Sequence, residues 1–407
     1  MFSALRHYNY RLALVGQSIS TVGTTMQLTA QDWLVLDLTH DSGSAVGVTV
    51  GLQVLPLALF GLYGSVLADR YPKRPILLVS QTAMGTLALV LGLLTVTGSI
   101  SLWHIYVLAF GLGLVVALNN PTWMAFNREL VGTDDLPNAV GLNSAAFNLA
   151  KIVGPAAAGV LIAGVGTGPV FLINAASFGV MVVVLCLMRE KELFSSTPVP
   201  RAKGQVREGL RYVRGHRDLA VVLTVLMLVS TFGMNFAVTN ALMSREVFHT
   251  GASSFGLVTA MLAVGGVVGA LLTARRRQPS ERGLLTAATA FSVLVIASGL
   301  MPTFAAYAAM QLPTGVAMVA FAAMASALTQ LNAPKEMAGR VMGLYLLVVS
   351  GGSAIIYPLI GWLAENFGAR STLIISGLAS LVSVAAAAAF MAPVTAGLRG
   401  RGTAQRS

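Results

Sequence analysis

Charge is nearly absent from long stretches of this chain. Over 407 residues, Lys, Arg, Asp and Glu together make up 10%, where a soluble domain carries about 25%. A soluble protein of this size could not cover its surface with so few ionised groups. The hydrophobic share of 56% and the mean hydropathy of +0.77 agree. The reading that follows is an all-α integral membrane protein, in which nearly the whole chain is membrane.

A spanning helix needs about 20 mostly apolar residues. Twelve segments meet that need: 12–36, 43–67, 75–97, 101–124, 138–164, 167–188, 218–243, 252–274, 283–301, 304–330, 338–364 and 369–392. The split at Met301-Pro302-Thr303 is the weakest boundary. Orientation follows from the placement of Lys and Arg in short loops. With the N-terminus inside, 23 of the 26 basic residues fall on the inner side, Arg245 and Arg370 fall outside, and Lys151 lies within a helix. That split explains the net charge of +11 as membrane topology, so no nucleic-acid partner is expected, and both termini read as cytoplasmic. The longest polar stretch divides the chain into an N-terminal six-helix bundle over 1–188, a cytoplasmic central loop over 189–217, a C-terminal bundle over 218–392 and a basic cytoplasmic tail over 393–407. Within the loop, GQVREGLRYVRGHRDL reads as a short amphipathic helix on the inner surface.

The two halves resemble each other. Gly141, Gly159 and Gly166 recur as Gly343, Gly361 and Gly368 at one offset, and GSVLADR at the end of segment two returns as GALLTAR at the end of segment eight. Paired six-helix halves are a common build of secondary transporters, with the substrate site between them near the midplane. Several other chemistries are excluded by inspection. No lysine follows a glycine, as a phosphate-binding loop requires, and no histidine precedes a glutamate, as the HExxH zinc motif requires. The lone cysteine, Cys186, rules out an intrachain disulfide or a CxxC site. No cofactor, metal or enzymatic activity is expected.

Three features carry chemistry. In the loop GSVLADRYPKR, Asp69 stands at a helix end and is followed by Arg70, Lys73 and Arg74. A carboxylate near the N-terminus of a neighbouring helix stabilises it by about 0.3–1 kcal/mol, and by up to ~2 when partly buried, so the loop reads as a conformational latch. In segment five, Gly154-Pro155-Ala156-Ala157-Ala158-Gly159 predicts a bent helix that admits a close neighbour, with the small stripe Gly256, Ala260, Ala263 as its contact. The third feature is charge inside the bilayer. It costs about 2.5–3.5 kcal/mol at the centre and marks function by default. Only Asp32 and Lys151 qualify. Lys151 falls at the middle of its segment and Asp32 toward the outer end of its own. Asp32 is read either as the group that binds and releases a coupled proton or as an interfacial residue facing water. Lys151 is read as a cavity residue, pairing with an anionic substrate group or with Asp32, or else as a lysine satisfied by backbone carbonyls and water. Gln27 and Gln31 extend the Asp32 face, and Asn148 lies one turn before Lys151. Asn235 and Gln311 are the cavity candidates of the second half.

Taken together, LRHYNYRL, AQDWLVLDLT, LADRYPKR, NNPTWMAFNRELV, LPNAVGLNSAAFNLAKIVGP, EGLRYVR and GRVMGLY resemble, in that order and over essentially the whole chain, the major facilitator superfamily branch of enterobactin exporters and transmembrane secretion effectors. The resemblance implies that Asp69 caps the helix starting near Arg340, that Arg70 pairs with an acid below helix four, namely Glu129, and that Gly141, Gly154, Pro155 and Gly159 form the antiporter motif. It also implies efflux of small organic molecules coupled to protons, by a monomer in the inner membrane. A facilitator or importer of a small nutrient on the same fold, and a non-transporting membrane sensor or scaffold, are the alternatives. There are departures from the family pattern: Ser65 and Pro72 in the loop, Asn119 before Asn-Pro, Trp123-Met124 in helix four, Lys151 for Arg and Ala338 for Arg.

Overall fold

The computed structural model describes residues 2–194, 205–275, 279–334 and 337–403, with backbone alone at 62, 69, 205–209, 338–340, 350 and 390–403. Among the described residues the chain is helical and without strands. In order, the helices are α1 (Tyr8–Thr39), α2 (Gly43–Arg70), α3 (Lys73–Val96), α4 (Leu102–Val131), α5 (Leu136–Val165), α6 (Thr167–Leu187), α7 (Gln205–Gly215), α8 (Arg217–Gly233), α9 (Phe236–Leu242), α10 (Ala252–Ala274), α11 (Glu281–Gly299), α12 (Phe304–Leu331), α13 (Ala338–Phe367) and α14 (Ala369–Thr403). Among the described residues, eleven spans are long and apolar enough to cross a membrane, with α8 and α9 counted together. The twelfth, α1, has the length, but Gln17, Gln27, Gln31 and Asp32 interrupt its apolar run. The weak boundary at Pro302 is real: α11 stops at Gly299, and Thr303 caps α12 by accepting from the Ala306 N–H at 3.3 Å. The short helix expected in the central loop is α7.

One expected span differs. The seventh segment is not one helix but α8, a break at Met234-Asn235, α9 and a π-helical turn over Met243–Val247. The break is made locally. Asn235 Nδ2 donates to the Thr231 and Phe232 carbonyls at 2.8 and 2.9 Å, so a side chain satisfies oxygens that the interrupted backbone ladder releases.

The internal repeat survives in three dimensions. Gly166 and Gly368 end α5 and α13 with φ of 80° and 84°, a left-handed conformation that L side chains resist, and each N–H reaches back four residues, to Ile162 and Ala364. Gly64 and Gly269 are likewise equivalent. A Cβ on Gly64 would collide with the α4 backbone, 2.9 Å from the Ala117 carbonyl carbon, and one on Gly269 with the α12 backbone, 2.9 Å from Val316 Cα. On the α4 side, Pro121 removes the donor to Ala117 O, and that released carbonyl is the one Gly64 approaches.

The chain divides into two compact units, Met1–Ala202 with Phe236–Val264 and Ser353–Ala369, and Lys203–Asn235 with Gly265–Gly352 and Arg370–Ser407. In the first, α1 packs on α5 and α6, α2 on α4, and α3 on α4 and α6. Tyr10, Leu77, Phe126, Leu130, Met181 and Leu185 form a buried cluster at the end that carries the N-terminus, called here the near end. In the second, α8, α11 and α12 pack together around the fully buried Phe291, Tyr307 and Phe321.

Candidate functional site

In the first unit α1, α4 and α5 enclose a cleft of about 520 Å³. α1 contributes Gln17, Ser18 and Thr21; α4 contributes Asn119, Asn120, Trp123, Met124 and Asn127; α5 contributes Val140, Asn143, Ser144 and Phe147. The polar groups are all neutral, and a network holds them. The Tyr10 hydroxyl donates to the Ala139 carbonyl at 2.9 Å and to Asn143 Oδ1 at 3.2 Å, while Asn143 Nδ2 donates to Asn127 Oδ1 at 2.8 Å. Asn119 Oδ1 accepts from the Ser80 hydroxyl at 2.9 Å and from Gln81 Nε2 at 3.3 Å. Buried amides cost little only when so paired, and here the pairing ties α1, α3, α4 and α5 together behind the cleft.

The two intramembrane charges stand apart. Asp32 is 7% exposed and has no cation within ion-pair distance among the described residues. The Tyr357 hydroxyl on α13 lies within its electrostatic reach. Lys151 is exposed, with its Nζ 4.6 Å from the centre of the Phe147 ring. The structure does not bring Lys151 and Asp32 into an ion pair. They lie on different helices, Asp32 well toward the end of α1 and Lys151 midway along α5, and the Lys151 ammonium rests on the aromatic face instead.

The other cavity candidates have separate fates. Gln27 Oε1 accepts from Asn174 Nδ2 at 2.7 Å, a buried link between α1 and α6. Gln31 is buried with its Nε2 unpartnered. Asn148 Nδ2 is bonded back to the Ser144 carbonyl of its own helix at 2.8 Å. Asn235 makes the break described above. Gln311, in the second unit, is 0% exposed with neither amide atom hydrogen-bonded. None of these lines the cleft. Sequence reasoning missed Gln17, Thr21, Asn143 and Ser144, although Gln17 and Thr21 share one helical face and Asn143-Ser144 interrupts an apolar run.

At the near end, Glu129 is ion-paired, but with Lys73 Nζ at 3.1 Å rather than with Arg70. Arg70 is the exposed last residue of α2, whereas Lys73 opens α3 and is buried against α4. Arg74 donates to the Leu185 carbonyl at 2.8 Å and pairs with Glu190, placing a cation at the C-terminal end of α6, where it is favoured. The side chains of Asp69 and Arg340 lie outside the described residues. The N-terminal turn docks on α5 through Ala4 N–H to Asn138 Oδ1 at 3.1 Å and His7 to Asp135 at 3.0 Å. Hydrogen bonds from Ser3 and then His7 hold the Asp135 carboxyl below its ordinary value.

At the opposite, far end, small residues make two seams within the first unit. A Cβ on Gly154 would lie 2.8 Å from Thr25 Cβ on α1, and one on Gly159 would lie 2.8 Å from Ala252 O and 3.2 Å from Gly256 Cα on α10. Gly256 therefore meets α5 as expected. Gly141 faces open space. The second seam was not anticipated. Gly43, Gly47 and Gly51, spaced by four on α2, face the backbone of α13 at Gly361, Tyr357 and Ala354. Spacing by four puts them in one stripe, a signal legible in GSAVGVTVG. Charges flank it. Arg245, on the π-helical turn, pairs with Asp37 at 2.9 Å and Asp41 at 2.8 Å. Glu365 of α13 accepts from the hydroxyls of Ser42 and Ser44 and from the Ser44 N–H at 3.1 Å, so it caps the start of α2.

Comparison with known proteins gives a consistent picture. The transmembrane secretion effector family matches residues 1–400. The enterobactin exporter EntS of Citrobacter koseri is 26% identical over 387 residues, covering 92% of this chain and 90% of that protein. Macrolide efflux protein A of Streptococcus pyogenes is 22% identical over 370 residues, covering 89% and 91%. Among solved structures, a bacterial homologue of the human lysosomal transporter Spinster, in its inward-facing and unoccupied conformation, superposes with a TM-score of 0.73 at 17% identity, covering 94% of this chain and 95% of that one. At that identity the likeness is one of fold: twelve helices in two six-helix halves, the major facilitator fold.

Proposed function

Because the chain belongs to the transmembrane secretion effector family of the major facilitator superfamily, whose members are membrane transporters and not enzymes, we propose that it exports small organic molecules by alternating access, in exchange for protons. The relatives named for enterobactin export and macrolide efflux support the direction. The strong bias of basic residues to one side supports a cytoplasmic near end, both termini included, and the relatives support a place in the cytoplasmic membrane. A monomer suffices, since the α1–α4–α5 cleft is built by one chain.

The observation that carries proton coupling is Asp32, a carboxylate buried to 7% exposure inside a span, with no cation within ion-pair distance among the described residues. An ionisable side chain inside a span marks a functional site by default, and a coupled proton would be taken up and released there as hydration or charge around it changes. The far-end contacts of α5 with α10 and of α2 with α13 are the ones that alternating access would make and part in turn. On this reading the central loop with α7 is a cytoplasmic tether between the two six-helix halves, and the chain beyond the last span is a cytoplasmic tail.

The test is substrate-dependent proton movement in inside-out vesicles, read with a pH-sensitive dye, for the natural chain and for Asp32→Asn. Dissipation of the gradient by an exported compound in the natural chain alone supports the reading. Accumulation of compound without proton movement refutes the coupling and makes the protein a facilitator. Coupled export that survives in Asp32→Asn removes Asp32 from the role.

A further inference from the structure

Lys151 places an amine midway along a membrane span without a carboxylate within ion-pair distance among the described residues. It continues the stripe of α5 that lines the cleft, one turn beyond Phe147 and two beyond Ser144. Its side chain is exposed, and the Phe147 ring under its ammonium, at 4.6 Å, also walls the cleft. A ring face is a weaker partner than an anion and is readily exchanged for one. The cleft offers amides and hydroxyls together with the broad apolar surfaces of Trp123 and Met124, and no acidic group. Across the interiors of the spans, the one acid is Asp32, which is buried and does not line the cleft. A cationic guest would find no counter-charge there and would meet Lys151 at the margin. An anionic guest would supply the partner that Lys151 lacks, since an intramembrane charge is held by pairing.

We propose that the missing counter-ion of Lys151 is the substrate: an organic anion with a flat apolar body, its acid group at the ammonium and its body among Trp123, Met124 and Phe147, oriented by the Asn and Ser amides and hydroxyls. The proposal rests on the export reading for its biological sense, but its test is independent of flux. Binding is measured at equilibrium, on protein in lipid nanodiscs without any gradient, from the fluorescence of three probes that share one fluorophore. These are dansylglycine (anionic), dansylamide (neutral) and dansylcadaverine (cationic), each compared with empty nanodiscs. Dansylglycine binds tightest, ahead of dansylamide by about tenfold, and dansylcadaverine is weakest. Lys151→Met removes the advantage of the anion and leaves dansylamide binding in place, which also reports that the variant is folded; Lys151→Arg keeps the advantage. Equal binding of the three probes, or an anion preference that persists in Lys151→Met, overturns the proposal. Binding of none of them removes the cleft as the substrate site. A vesicle flux failure with the anion preference intact would instead strike the export reading alone.

Discussion

The glycine seam between α2 and α13 makes the most quantitative prediction. At Gly47 an alanine methyl would collide with the Tyr357 carbonyl oxygen and would lie 2.8 Å from its carbon and 3.0 Å from Pro358 Cα. All three atoms are backbone, so no side chain can turn away. Restoring van der Waals separation requires the helices to part by about 1 Å. Overpacking of this kind costs about 1–3 kcal/mol, and it falls only on the conformation in which the seam is closed. If alternating access opens the seam, Gly47→Ala lowers the population of the closed state by a factor of about 5 to 150. The control is Gly141→Ala, where the added methyl meets nothing within 4 Å and which shares the gain of about 1 kcal/mol in helix propensity. The assay uses a Cys186→Ser background with a single cysteine at Asn120 in the cleft. Inside-out vesicles are labelled with a membrane-impermeant maleimide, and thermal unfolding is followed in parallel. Gly47→Ala slows labelling from the cytoplasmic side, and Gly141→Ala does not. Equal labelling of the two variants at equal stability would refute the assignment of the seam to one state.

Other expected outcomes are as follows. Lys73→Met removes the Lys73 cation from the mostly buried Glu129 carboxylate and lowers stability by about 3 kcal/mol; the double variant with Glu129→Gln loses less, as thermal unfolding in detergent would show. Glu365→Ala removes three acceptor contacts from the start of α2 and weakens that cap by about 1 kcal/mol; faster hydrogen exchange at the Ser44 and Ala45 amides would reveal it. The Asp135 carboxyl is held below its ordinary value, so its contribution to docking the N-terminal turn is present above the ordinary carboxylate range and lost as pH falls through the lowered one. Limited proteolysis at Arg6 therefore stays slow at neutral pH and accelerates in acid, and Asp135→Asn abolishes that pH dependence.

Much of this was legible along the chain. Twelve spans were read from the chain and eleven of them are long and apolar enough to cross a membrane among the described residues, because insertion into a bilayer responds to local hydropathy over about 20 residues. The repeat was legible for a similar reason. Gly166 and Gly368 hold a left-handed φ, a requirement of single positions that needs no knowledge of neighbours. The contact of Gly256 with α5 was also reachable, since two stripes of small residues on helices invite each other.

Partnership was not legible. Glu129 is paired with Lys73, three residues beyond Arg70, because the turn into α3 buries one cation and leaves the other at the exposed end of α2. Gln27 was read beside Asp32 as a cavity residue, yet Asn174 claims it, from a helix 147 residues away. The break in the seventh span depends on a side-chain amide finding two carbonyls of its own helix, and the cleft lies where Tyr10, Asn143 and Asn127 link α1, α5 and α4. Hydropathy and glycine act on a residue and its immediate turn, so the sequence alone determined the approximate spans and their repeat. Which faces meet, which charges pair and where a cleft opens depend on contacts between distant residues under mutual steric constraint, and only the tertiary structure decided them.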